Sequence, residues 1–169
     1  MTLTDCTAIT LLAAAAAAST LAGCENRVES GPPDLRFGRD ECAECKMSIV
    51  DEKSAAAARV QTPHGPDVLL FDDLGCLLDL ERWAERPGVV VTERWTRDYG
   101  SRQWTRAETA TYVFSEKILT PMGSWIAAYA APDAAAATHR DAGGDLLTYD
   151  QLVTRRGAWM EERYGKRQP

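Results

Sequence analysis

The sequence predicts an α+β fold of two similar ββαβ-type halves closed by a C-terminal helix and preceded by a signal segment and a flexible tether. Short runs rich in β-branched and aromatic residues alternate with helix-period segments, and the order strand, strand, helix, strand occurs twice. Gly, Pro and Asp gather at the joints, where turns and helix caps need them. At 169 residues, with 45% hydrophobic and 26% charged positions, the chain has a globular composition large enough for one domain or two small ones.

Residues 1–23 read as a lipoprotein signal peptide. The apolar run from Ala8 to Ala18 is too short to span a bilayer, which takes about 20 residues, and it fits the hydrophobic centre of a secretory signal. Leu21-Ala22-Gly23-Cys24 resembles a bacterial lipobox, which makes Cys24 the lipidated first residue of the mature chain and places the domain outside the cytoplasm, tethered to a membrane face. Residues 1–7 carry none of the Lys or Arg with which such signals usually open. Removal of the segment takes one charged residue, Asp5, and moves the net charge from −6 to −5. An acidic chain without a Lys/Arg cluster is a poor nucleic-acid binder.

Residues 24–40, with Gly31-Pro32-Pro33 and no apolar period, predict a tether. The domain spans 41–169, in halves of about 41–100 and 101–169. In the first half Ala55 to Gln61 is a strand, Pro63 to Pro66 a turn and Asp67 to Phe71 a second strand. Asp72 caps a helix reaching about Arg86, with Leu77, Leu80 and Trp83 on one face, and Val89 to Trp95 is the third strand. The second half repeats the order with Thr111 to Ser115, Trp125 to Ala130, a helix from Pro132 to Arg140 and a short strand from Asp145 to Thr148. A final helix covers Tyr149 to Tyr164. The octets Asp67–Leu74 and Asp145–Leu152 agree at four positions, as a duplication or as two strand-to-helix junctions of the same chemistry. Five Trp residues spread along the chain suit two small cores.

The five cysteines divide by task. Cys6 leaves with the signal and Cys24 takes the lipid, so Cys42, Cys45 and Cys76 remain, an odd number in an oxidising compartment. Cys42-x-x-Cys45 has three readings: structural disulfide, redox dithiol or metal site. His64 and His139 stand at no familiar zinc spacing. Met47, two residues after Cys45, shifts the balance towards a soft ion, since thiolate and thioether sulfur select Cu(I). In an extended segment Cys45 and Met47 share a side. Pro121-Met122-Gly123 sets Met122 in a turn, either packed beneath a loop or projecting into a shared cleft. Cys76, on the apolar stripe of its helix, reads as a buried inert thiol; His64 reads as a solvated turn residue or a further metal ligand, and Asp72 and Asp73 as helix-capping carboxylates.

Taken in order, Cys42-x-x-Cys45-x-Met47, Phe71-Asp72-Asp73, Pro121-Met122-Gly123 and the run from Asp133-Ala134 through Gly143-Gly144 to Asp150 resemble the NosL family of membrane-anchored lipoproteins. The resemblance implies a periplasmic Cu(I)-binding metallochaperone, not an enzyme, that serves nitrous oxide reductase through a membrane ABC-type maturation complex. It implies Cys45, Met47 and Met122 as copper ligands, with Cys42 a further ligand, a redox partner of Cys45, or incidental. Lys46 stands where many members carry Gly, which adds a cation and removes backbone freedom. Two rival readings are an extracytoplasmic thiol–disulfide protein using Cys42 and Cys45, and a structural lipoprotein module without metal.

Overall fold

The computed structural model describes residues 30–83 and 88–165, without the side chains of 80–83. The signal segment, Cys24 and the expected helix end at Arg86 lie outside the described residues. No helix among those residues is long and apolar enough to cross a membrane.

The first half holds β1 (Ala56–Thr62), β2 (Gly65–Phe71), α1 (Leu74–Trp83), β3 (Val90–Arg97) and β4 (Trp104–Arg106). Its sheet is antiparallel in the order β2-β1-β3-β4. The second half holds β5 (Thr111–Phe114), β6 (Ile126–Tyr129), α2 (Pro132–Ala142) and β7 (Asp145–Leu147), followed by α3 (Tyr149–Tyr164). Its sheet is antiparallel in the order β6-β5-β7. In each half the first strand is flanked by the second and third, and a helix crosses from one flank to the other. The expected ββαβ repeat is therefore present at the level of topology.

The matching octets are not its trace. Asp67–Leu74 covers the end of β2 and the entry to α1, whereas Asp145–Leu152 covers β7 and the entry to α3, and these places are not equivalent in the two halves. They agree because a strand that feeds a capped helix needs the same residue types each time. In the second of them Thr148 and Gln151 form a capping box at the start of α3.

One large core serves both halves, against the expectation of two small ones. Alternation along β5 and β6 turns Tyr112, Phe114, Ile126 and Ala128 towards Phe71, Leu74 and Leu77 of the first half and Leu152 of α3. Val113, Ala127 and Tyr129 face the other way and form a smaller cluster with Ala135 of α2. Residues 31–40 also belong to the fold rather than to a free tether. Gly31 N–H donates to Glu93 at 3.0 Å and its carbonyl accepts from Arg59 at 2.7 Å, while Leu35 and Phe37 pack on the core.

Gly144 fastens α2 to its sheet. It sits at φ +86, and a Cβ there would lie 2.2 Å from the Phe114 carbonyl oxygen. Gly144→Ala adds left-handed strain to a backbone clash and is expected to cost about 3 kcal/mol, read as a lower denaturant midpoint.

Candidate metal centre

Two segments far apart in sequence build the centre. The first is the loop from Cys42 to Met47, closed by hydrogen bonds from Cys42 N–H to the Met47 carbonyl at 2.8 Å and from Lys46 N–H to the Cys42 carbonyl at 3.0 Å. Ala43 N–H donates to the Leu70 carbonyl at 2.7 Å and docks the loop on the end of β2. The closure needs a left-handed residue, and Lys46 takes that role at φ 64, the conformation that a Gly adopts without cost. The extended segment expected for Cys45 and Met47 is thus a tight turn, so the two-residue alternation does not relate their side chains.

The second segment is the start of α1. Asp73 precedes its first residue and accepts from Gly75 N–H at 2.7 Å, so Asp73, not Asp72, is the capping residue. Asp72 accepts from Val50 N–H at 3.2 Å, which ties the segment after the loop to the same junction. Cys76 then falls on the first turn of α1.

The sulfur atoms of Cys42, Cys45 and Cys76 all lie within 4.8 Å of one another, and none is in a disulfide. Cys42 and Cys76 are buried and Cys45 is partly exposed, so the group opens on the Cys45 side. Three thiolates around one ion at about 2.3 Å, a usual metal–thiolate bond length, stand about 4 Å apart. A contraction of less than about an ångström therefore gathers the trio on a metal. Cys76 is buried in the core, as its apolar stripe predicts, and its sulfur also stands beside those of Cys42 and Cys45.

Electrostatics set up the site for a cation. The Cys42 thiol is pushed down to about 5, chiefly because the Cys76 thiol donates a hydrogen bond to it, with the N–H groups of Cys45, Asp72 and Glu44 adding to the effect against burial. That hydrogen bond, with burial, pushes Cys76 far up, and burial raises Cys45. The group holds one negative charge readily and keeps its other protons, so metal binding has to expel protons from Cys45 and Cys76.

Of the other expected ligands, the two methionines are more exposed than the thiols and His64 is remote from them. Met47 is 54% exposed and Met122 41% exposed. Met122 N–H donates to Asp73 at 3.0 Å, which places its turn at the end of α1 that carries Cys76. His64 sits in the two-residue turn between β1 and β2, at the end of β2 away from Leu70 and Phe71. At about 3.3 Å per residue this is roughly 20 Å from the loop that carries Cys42, too far to ligate the same ion. The residue that sequence reasoning missed is Cys76. Its signal is its place in the first turn after the Asp72-Asp73 pair that opens a helix.

A thiol trio at the junction of two ββαβ halves defines a protein suited to a soft metal ion. The chain belongs to the NosL family, whose family model matches residues 37–156. Among solved structures it is similar to the copper chaperone NosL from Shewanella denitrificans, with a TM-score of 0.53 and 22% identity over 71% of this chain and 96% of that one. A comparison with curated proteins finds no match.

Proposed function

We propose that the protein is a copper-delivery factor that carries one Cu(I) on Cys42, Cys45 and Cys76, with the thioethers of Met47 and Met122 at the exposed rim. The observation that carries this reading is the convergence of three sulfur atoms from two separate segments within 4.8 Å. Thiolate donors select a soft monovalent ion over Zn(II) or Mg(II). An ion held at low coordination exchanges by attack of an incoming ligand, and here the open side is that of Cys45. Met47 and Met122 are both exposed, and thioethers hold copper weakly enough to pass it on. Membership of the NosL family supports the copper-carrying role, and the lipobox-like Leu21-Ala22-Gly23-Cys24 supports Cys24 as a lipid anchor; in this reading the ion goes to nitrous oxide reductase through a membrane ABC-type complex on the periplasmic face.

Thiol–disulfide exchange fits the site less well. Exchange needs an accessible thiolate, whereas the acidic thiol, Cys42, is fully buried and the more exposed Cys45 keeps its proton.

Competition of the reduced chain against a Cu(I) chelator tests the proposal. Wild type is expected to bind one equivalent, and Met47→Leu and Met122→Leu each to weaken binding about ten-fold, as loss of a secondary ligand does. Unchanged affinity in both variants removes the methionines from the site, and no binding by wild type refutes the copper reading.

A further inference from the structure

Every atom of the Asp73 carboxylate is committed, and its partners come from both halves. Oδ1 accepts from Gly75 N–H at 2.7 Å and from the Ser124 hydroxyl in a very short hydrogen bond, while Oδ2 accepts from Met122 N–H at 3.0 Å. The Asp73 carbonyl accepts from Cys76 N–H at 2.9 Å. One fully buried residue thus holds the turn bearing Cys76 and the turn bearing Met122. The two are brought together closely. A Cβ on Gly75 would come within 2.5 Å of the Ser124 Cβ, so only glycine at that position lets the turn seat on the helix.

We propose that Asp73 is a positioning residue for metal binding: by clasping the Pro121–Ser124 turn to the first turn of α1, it sets the Met122 thioether beside the thiol group. The proposal rests on the copper reading above and adds to it a residue that itself touches no metal. A charged acceptor serves this role because it takes three donors at once, which a neutral side chain of the same shape does not. Outer residues that orient ligands affect metal affinity nearly as strongly as the ligands they hold.

Asp73→Asn separates positioning from folding. Asn caps helices as well as Asp does, so α1 keeps its start while the arm towards Met122 becomes a donor that faces another donor. Two measurements on the full chain decide the matter: amide hydrogen exchange at Met122, and competitive Cu(I) titration of wild type, Asp73→Asn, Met122→Leu and the double variant. The expected result is exchange at Met122 accelerated more than ten-fold in Asp73→Asn, with cooperative unfolding retained. Cu(I) affinity is expected to fall about ten-fold in each single variant and no further in the double, the non-additivity of two residues acting as one. Unchanged exchange, or losses that add in the double variant, overturn the role of Asp73. Accelerated exchange in Asp73→Asn, with no Cu(I) bound by wild type, faults the copper reading and leaves the clasp itself standing.

Discussion

Cys76→Ser is expected to weaken Cu(I) binding by about a hundred-fold or more, near 3 kcal/mol. Serine is nearly isosteric, but its hydroxyl keeps its proton at neutral pH and offers a hard oxygen to a soft ion. The change also removes the hydrogen bond that acidifies Cys42, since the Cys76 thiol is the leading cause of that shift. Binding then starts from a less ionised Cys42 as well as from one sulfur fewer. Chelator competition reads the loss, and circular dichroism checks that the fold persists. Affinity within a factor of two of wild type would return Cys76 to the role of a core thiol.

Asp79→Ala is expected to cost about 3–5 kcal/mol, enough to remove much of the stability of a domain this size. Asp79 lies on α1 and takes Arg156 of α3 in a two-point pair, Nε to Oδ1 at 3.0 Å and Nη2 to Oδ2 at 2.8 Å. Arg156 is only 6% exposed, and its Nη1 already lacks a partner. Without Asp79 the guanidinium is left buried and uncompensated, its remaining support being the Trp159 ring at 4.3 Å. Trp159 in turn meets Trp125 edge-on at 5.5 Å, so the pair anchors the contact of α3 with both halves. Asp79→Leu with Arg156→Leu is expected to recover most of the loss, because apolar side chains of similar volume replace a buried ion pair at little cost. Urea midpoints distinguish the outcomes, and a single-variant loss below about 1 kcal/mol would show the pair to be solvated and unimportant.

The elements legible in the sequence were those whose signal is local. The expected final helix over Tyr149 to Tyr164 coincides with α3, whose start the structure shows to be a capping box at Thr148, and the paired strands follow from apolar runs bounded by turn residues. β4 escaped because Trp104–Arg106 is too short to show a period, and its place is set by pairing with β3. The contacts of Gly31, Leu35 and Phe37 with the domain are likewise long-range, so composition alone makes that stretch look like a tether. The site divides the same way. Cys42 and Cys45 announce themselves by spacing, whereas Cys76 stands thirty-one residues beyond Cys45 on an apolar stripe. Only the docking of the Cys42–Met47 loop on β2, through Ala43 and Leu70, reveals that Cys76 shares the pocket. His64 is the converse: a ligand by chemistry, placed by the strand at the wrong end of β2.

X-ray absorption at the copper edge of the Cu(I)-loaded chain, recorded for wild type and Cys76→Ser, tests the central claim most directly. The account predicts a wild-type first shell made of sulfur alone, which loses one sulfur scatterer in the variant. A shell of nitrogen or oxygen donors, or a sulfur count unchanged by Cys76→Ser, would contradict it.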